Sequence, residues 1–178
     1  AVLGSEDAIV AEACADAADA GVVVPANFNS PGQVVIGGDT AAVDRAIALL
    51  AERGVRKAMK LPVSVPSHTP LMREAAQALA QVMAGMDWRA PSLPVVQNVD
   101  AGVAGDVAAI RDALVRQLHL PVRWTDCVQA LSAAGSTRIA ECGPGKVLAG
   151  LCKRIDKSLD VRALGTPEDL DAALAAWR

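Results

Sequence analysis

The sequence predicts an α/β fold, and two observations support that prediction. Runs of β-branched residues alternate with stretches of helical apolar spacing along the whole 178-residue chain, as in proteins that pack helices against sheets. The order of the two kinds of segment changes near residue 62. We therefore expect two parts, residues 1–62 and residues 63–178.

The first part is predicted to contain four strands and two helices. Ser5 is expected to cap the first helix, and Asp39 or Thr40 the second. Asn27–Gly32 is expected to be the turn-forming connection between the two central strands. In order, the segments are a strand at the start, a helix to about residue 20, strands at 21–24 and 33–37, a helix to residue 54 and a strand at 57–61. The order βαββαβ is that of a ferredoxin-like unit.

The second part alternates helices and strands differently, which indicates a parallel sheet covered on both faces. Thr166 is expected to cap the last helix, with Pro167 in its first position and Asp169 completing a capping box. The predicted strands are 61–65, 94–99, 137–142 and 161–164, and the predicted helices are 70–85, 106–119, 125–134, one opening at 143–145, and 167–177.

The composition argues against two kinds of partner. Hydrophobic residues make up 52% of the chain, but charges interrupt them before they reach the ~18 apolar residues of a membrane span. The net charge is −3 with both signs intermixed, so no broad basic surface is available for nucleic acid. We predict neither a membrane nor a nucleic-acid partner.

The four cysteines form no C-x-x-C pair, and only two histidines are available to complete a metal site. No metal site is therefore expected, and the unpaired thiols fit a reducing cytoplasm. The chain begins Ala1-Val2-Leu3-Gly4, without an initiator methionine or a signal-peptide pattern. We therefore expect the chain to be a piece of a longer protein.

His68 is the main candidate for chemistry. It follows the predicted strand at 61–65 and so stands at the carboxyl end of a strand, where open α/β sheets bind ligands. An imidazole there can accept and return a proton near neutral pH. The alternative is a surface or hydrogen-bonded loop histidine.

Three other features are open to two interpretations each. Gln117, at a predicted helix end, could present its amide or its backbone carbonyl to an imidazole, or it is a solvated glutamine. His119 is interpreted as a structural or surface residue. Gly143–Lys146 could bind a phosphate at a helix N-terminus, or form a tight turn near a pocket. No serine stands in the G-x-S-x-G elbow that a serine acyltransferase or hydrolase uses.

Three segments together resemble the malonyl-CoA:acyl carrier protein transacylases of dissociated fatty acid synthesis. They are Asn27-Phe28-Asn29-Ser30-Pro31-Gly32-Gln33, Val63-Ser64-Val65-Pro66-Ser67-His68 and Gly143-Pro144-Gly145-Lys146-Val147-Leu148. The resemblance extends over the whole chain. It implies a hydrolase-like α/β core that carries an inserted ferredoxin-like subdomain, with residues 63–178 as the C-terminal part of that core.

The resemblance also implies roles for single residues. His68 matches the histidine that deprotonates the serine nucleophile and then protonates the departing thiol. Gln117 matches the residue whose backbone carbonyl orients that imidazole. Asn29, Gln33 and Val147 fall where the family lines the channel for the pantetheine arm.

Arg56 and Lys57 could belong to the basic surface that receives the acidic carrier protein. Two exposed charges in a turn between a helix and a strand are also common in proteins without such a partner.

The implied reaction is the ping-pong transfer of an acyl-carrier-protein S-malonyltransferase. Malonyl-CoA acylates the serine, CoA leaves, and the phosphopantetheine thiol of acyl carrier protein takes the malonyl group. No cofactor beyond these substrates is expected, and the intact enzyme is expected to be a cytoplasmic monomer.

Much of the family's machinery is expected to lie outside this chain. The serine elbow, the arginine that binds the malonyl carboxylate and the oxyanion glutamine all precede the inserted subdomain in the family, and only 67 residues precede His68. We therefore expect no transacylase activity from this chain alone.

Two alternatives stay open. An acyltransferase domain of a modular polyketide or fatty acid synthase shares the fold and the histidine. A non-catalytic module, in which the ferredoxin-like unit docks carrier protein, is a second possibility. Binding of carrier protein without binding of malonyl-CoA would favour the module.

Overall fold

A computed structural model describes residues 1–178 and shows mixed α/β structure. The strands are β1 (Val2–Leu3), β2 (Val23–Ser30), β3 (Gln33–Gly38), β4 (Lys57–Ala58), β5 (Val96–Gln97), β6 (Gly102–Val103), β7 (Arg138–Cys142) and β8 (Asp160–Leu164). The α-helices are α1 (Asp7–Asp16), α2 (Thr40–Glu52), α3 (Arg73–Ala84), α4 (Val107–Gln117), α5 (Trp124–Ala133), α6 (Val147–Ile155) and α7 (Pro167–Ala176). Two short 3₁₀ segments occupy Ala18–Ala20 and Pro70–Met72.

The first four strands form one antiparallel sheet in the order β2-β3-β1-β4. Helices α1 and α2 pack together and against this sheet. The core between them is apolar, and Val10, Val34 and Leu50 are no more than 1% exposed. This strand order, produced by the chain order βαββαβ, confirms the predicted ferredoxin-like unit.

The cap predicted for the first helix is wrong, whereas Asp39 does occupy the predicted N-cap position of the second helix. Glu6 rather than Ser5 precedes α1, and no side chain caps that helix. Asp39 precedes α2, but its carboxylate accepts a hydrogen bond from the backbone N–H of Val22 at 2.8 Å instead of capping the helix. The backbone N–H of Val22, distant in sequence, therefore occupies the acceptor that the local pattern assigned to the helix.

The segment Asn27–Gly32 is not a loop, which corrects the sequence-based prediction. Strand β2 continues to Ser30, and only Pro31 and Gly32 turn the chain, with Gly32 at a φ of 73°. The extension has a long-range cause, because the N–H of Phe28 donates to the carbonyl of Val122 at 2.9 Å. Turn-forming residues therefore lie in a strand that is paired on both sides.

Two predicted strands are also wrong. Residues 61–65 form no strand, and Pro62 and Pro66 lack the N–H groups that a sheet ladder needs. The strand predicted at 94–99 shrinks to β5, which pairs antiparallel with β6 in a separate hairpin.

The chain divides into two compact units, residues 1–127 and residues 128–178. This division differs from the predicted boundary after residue 62, which followed the order of elements and stays a prediction. In the second unit β7 and β8 pair in parallel, with α6 connecting them and α7 packed on β8. The predicted capping box of α7 is confirmed, with Thr166 and Asp169 bonded reciprocally. None of the helices combines the length and the apolar character that a membrane span requires.

Candidate active site

The backbone of His68 has an unusual conformation that a hydrogen bond holds in place. Its φ is 64°, in the left-handed region where residues other than glycine are uncommon. Its N–H donates to the carbonyl of Leu118 at 2.9 Å. The next residue, Thr69, is fully buried, and its hydroxyl donates to the carbonyl of Pro66 at 2.7 Å. A closed turn over residues 66–69 therefore presents the half-buried imidazole.

The ring of His68 contacts the end of α4. Its Nδ1 lies 2.7 Å from the backbone carbonyl oxygen of Gln117, which is free to accept because the last carbonyls of a helix have no intrahelical donor. A carbonyl can only accept a hydrogen bond, so Nδ1 carries a proton, and in the neutral ring Nε2 therefore keeps its lone pair. This is the tautomer that a general base needs.

The side chain of Gln117 lies beside the same ring. Its Nε2 is 3.3 Å from His68 Nδ1, and it donates to the carbonyls of Leu120 at 3.2 Å and Pro121 at 3.4 Å. The amide oxygen is buried and has no hydrogen-bond partner in the protein. Both the amide and the backbone carbonyl of Gln117 therefore face the site.

An exposed ion-pair network fixes the end of α4 that carries Gln117. Arg116 binds both carboxylate oxygens of Asp100, at 2.7 and 2.6 Å, and Asp112 at 2.6 Å. The hydrogen bonds from Arg116 lower the pKa of Asp100, and the two carboxylates raise the pKa of Arg116. The loop between β5 and β6, which holds Asp100, is thereby fastened to the helix.

The other predicted site residues lie at three places. Asn29 and Gln33 are half-buried on the β2–β3 hairpin, on either side of the turn. Val147 is in the second compact unit, in the first turn of α6, and is 71% exposed. Arg56 and Lys57 are exposed at the start of β4. The structure thus brings His68 and Gln117 into direct contact, whereas the roles of the other five stay predictions.

The turn at Gly143–Lys146 does not offer a free anion site. The carboxylate of Glu141 already accepts the N–H groups of Leu148 at 3.2 Å and Ala149 at 2.7 Å, in the first turn of α6. These are the donors that a phosphate would use. The tight-turn interpretation is therefore favoured, with Gly143 and Gly145 at φ values of 121° and 103°.

A cavity of about 350 Å³ is lined in part by the segment 59–66 but not by His68. Its walls are mainly apolar side chains from α2 and from this segment, and its charged members, Asp39 and Lys60, are hydrogen-bonded to Val22 and Asp44. The cavity offers no pair of groups for acid-base work, so the candidate site is the His68–Gln117 pair. No cluster of three or more His, Cys, Asp or Glu side chains is arranged to hold a metal ion.

Sequence reasoning missed Thr69, Leu118 and Glu141. A threonine directly after a candidate base, and a glutamate at a strand end before a glycine-rich turn, are the signals that point to two of them. Leu118 acts through its backbone carbonyl, for which the side chain gives no signal.

Comparison with known proteins identifies the family of the chain. The sequence profile of the acyl transferase domain matches residues 2–164. The crystal structure of a malonyl-CoA:acyl carrier protein transacylase from Xanthomonas oryzae pv. oryzae is 73% identical, with a TM-score of 0.96 over 99% of this chain and 56% of that one. The malonyl CoA-acyl carrier protein transacylase of Salmonella typhimurium is 52% identical over 174 residues, 98% of this chain and 56% of that protein.

A malonyl-transacylase solved in complex with its type II polyketide synthase acyl carrier protein is 44% identical, with a TM-score of 0.95 over 98% of this chain and 57% of that one. The chain spans a little over half the length of these relatives. Their structures confirm the predicted fold class over the part that the chain covers. Because the family profile matches most of its residues, the chain belongs to the family of acyl transferase domains.

Proposed function

We propose that this chain supplies the general base of a malonyl-CoA:acyl carrier protein transacylase acting in fatty acid synthesis. The observation that carries the proposal is the 2.7 Å contact between His68 Nδ1 and the carbonyl oxygen of Gln117. It leaves Nε2 as a proton acceptor on a ring whose orientation is fixed. An acyl-transfer serine needs a base with this arrangement.

In the first half-reaction Nε2 of His68 takes the serine proton while the serine oxygen attacks the malonyl thioester. The carbonyl of Gln117 accepts the Nδ1–H bond and favours the imidazolium that forms, as a carboxylate does in a serine protease triad. The imidazolium then protonates the sulfur of CoA as the C–S bond breaks. The second half-reaction repeats these steps with the phosphopantetheine thiol as nucleophile, which returns the free serine.

None of the serines among these 178 residues stands in a G-x-S-x-G elbow. The proposal places the nucleophilic serine in the part of the relatives that this chain does not cover. The chain alone is therefore proposed to be inactive in malonyl transfer, although it carries the base.

Other residues complete the proposal. Asn29, Gln33 and Val147 would line the pantetheine channel, and the exposed Arg56 and Lys57 would meet the acidic carrier protein. Support for a carrier-protein partner comes from the related malonyl-transacylase solved with its acyl carrier protein. We propose further that the intact enzyme is a cytoplasmic monomer that needs no cofactor beyond its two substrates.

A chimaera tests the proposal. The segment of the X. oryzae transacylase that this chain does not cover is fused ahead of the chain, and transfer of radiolabelled malonyl from malonyl-CoA to holo acyl carrier protein is measured. The matched control replaces the nucleophilic serine of the fused segment by alanine. The unfused chain is assayed in parallel.

We expect transfer by the chimaera and none by the control or by the unfused chain. A folded chimaera without activity contradicts the proposed function. Activity of the unfused chain contradicts the placement of the nucleophile. Binding of carrier protein to the unfused chain, together with an inactive chimaera, would instead identify a docking module.

A further inference from the structure

The side chain of Gln117 has a role that the backbone contact does not explain. Any residue at position 117 would supply the carbonyl that meets His68 Nδ1. We propose that the Gln117 amide is a positioning group, which closes the turn after α4 and thereby keeps the proton of His68 on Nδ1. As a contribution to catalysis, this inference rests on the proposed function.

The turn after α4 binds His68 and is closed by the Gln117 amide. After α4 the chain reverses over residues 116–121, and the carbonyls of Gln117 and Leu118 bond the ring and the backbone N–H of His68. The carbonyls of Leu120 and Pro121 turn instead to the Gln117 amide. Of the four carbonyls in this turn, two therefore accept hydrogen bonds from His68 and two accept hydrogen bonds from the Gln117 side chain.

The same turn fixes the orientation of the Gln117 amide. The NH₂ group has two hydrogens, and the carbonyls of Leu120 and Pro121 use both. A flipped amide would place its oxygen against these two acceptors, so the turn itself selects the observed orientation. The amide nitrogen lies 3.3 Å from His68 Nδ1 but has no hydrogen left to donate to it.

The carbonyl and the amide of Gln117 together select the tautomer of His68. If Nδ1 lost its proton to Nε2, it would become an acceptor facing the carbonyl oxygen of Gln117 at 2.7 Å. The donor beside it would be the Gln117 amide nitrogen at 3.3 Å, which already donates to the carbonyls of Leu120 and Pro121. The other tautomer is therefore penalised twice, by repulsion from the carbonyl and by the committed amide hydrogens. Without the amide, the turn is less constrained and a free donor or water can reach Nδ1.

Removing the Gln117 amide should misalign the imidazole of His68 without removing the base itself. A displacement of about 1 Å at a reacting group can cost about 100-fold in rate. We expect Gln117→Met, which keeps the size of the side chain but removes both donors, to lower kcat of the active chimaera about 10- to 100-fold with little change in KM.

The direct test reads the tautomer on the 178-residue chain without substrate. Two-bond ¹H–¹⁵N correlations of ¹⁵N-histidine protein distinguish the two nitrogens of each ring, and a His119→Gln variant assigns the only other histidine. Gln81, exposed on α3, gives the matched control Gln81→Met. Thermal unfolding of each variant reports whether it is folded.

At a pH where the ring of His68 is neutral, we expect wild type and Gln81→Met to carry its proton on Nδ1 alone, and Gln117→Met to show both tautomers while still folded. An unchanged His68 tautomer in folded Gln117→Met overturns the inference, even if the chimaera transfers malonyl. An inactive chimaera overturns the proposed function but leaves this spectrum interpretable.

A second measurement needs no variant at position 117. In the wild type, the side-chain NH₂ of Gln117 should exchange with solvent at least 10-fold more slowly than that of Gln81, because both its hydrogens are bonded. Equal exchange rates overturn the inference whether or not Gln117→Met folds.

Discussion

Replacing Thr69 by valine removes one hydroxyl from the turn that presents His68 while it preserves the shape of the side chain. The Thr69 side chain is completely buried, and its Oγ1 donates to the carbonyl of Pro66 at 2.7 Å. The space around it is tight, because a Cβ built on Gly37 would lie 3.0 Å from its Cγ2. Valine should fit this space but leave the Pro66 carbonyl without its donor.

The expected cost follows from that unpaired carbonyl. A buried polar group that loses its partner costs about 1–3 kcal/mol, and Pro66 is only half-buried, so the lower part of that range applies. We expect Thr69→Val to reduce the free energy of unfolding by about 1–2 kcal/mol, or to lower Tm by roughly 2–8 °C for a chain of this size. In the active chimaera it should also lower kcat, because the turn no longer holds His68 in its left-handed conformation.

Urea and thermal unfolding measure this effect against Thr137→Val, which makes the same chemical change at an exposed position. The control should stay within about 0.5 kcal/mol of wild type. Equal stabilities of the two variants would refute the reasoning, since they would show that the hydroxyl of Thr69 contributes nothing to the turn.

Two further predictions concern pH and thiol chemistry. The pKa of Asp100 is lowered by Arg116, so their pair stabilises the fold above the ordinary carboxyl range and loses its effect as pH falls through the lowered pKa. Asp100→Asn should cost at most about 1 kcal/mol at pH 7 and progressively less as the pH falls through that pKa. A deficit in urea unfolding that does not shrink as the pH is lowered would contradict this. Burial raises the pKa of Cys14 and Cys127 to about 11, so about 0.1% of either is thiolate at pH 8. With Cys142 the one exposed thiol, a thiol reagent should modify one cysteine per native chain rapidly and four after unfolding, whereas two or more fast thiols would contradict the burial.

The ferredoxin-like unit could be predicted from the sequence because its determinants are local. Strands and helices there follow one another at short range, and the buried face of α2 repeats at helical spacing through Ala42, Ala46 and Leu50. The same holds for the capping box of α7. Local patterns of this kind survive in the fold when no distant partner competes for the same atoms.

The errors arose where distant contacts decided the outcome. Asn27–Ser30 has the composition of a turn, but hydrogen bonds to Val122 extend β2 through it. The alternating residues 61–65 suggested a strand, yet they pair with no strand here. His68 therefore follows an irregular segment and not a strand end.

The candidate site could likewise be predicted only in part from the sequence. The resemblance assigned roles to His68 and Gln117. The structure places Nδ1 of His68 2.7 Å from the carbonyl oxygen of Gln117, although the two residues are 49 positions apart in the sequence. The positive φ of His68 and the bond from its N–H to Leu118 depend on the folded turn after α4. Backbone atoms make these contacts, so the residue types of the sequence carried no signal for them.

The central claim is that His68 is the base that activates the acyl-accepting serine. Its most direct test is the rate of CoA release from malonyl-CoA in a single turnover of the chimaera, with His68→Gln compared with His119→Gln. Loss of a general base should slow this step about 10²- to 10⁴-fold, so the account predicts such a loss in His68→Gln and a rate within a few-fold of wild type in His119→Gln. A His68→Gln chimaera that releases CoA as fast as the His119→Gln control would contradict the account.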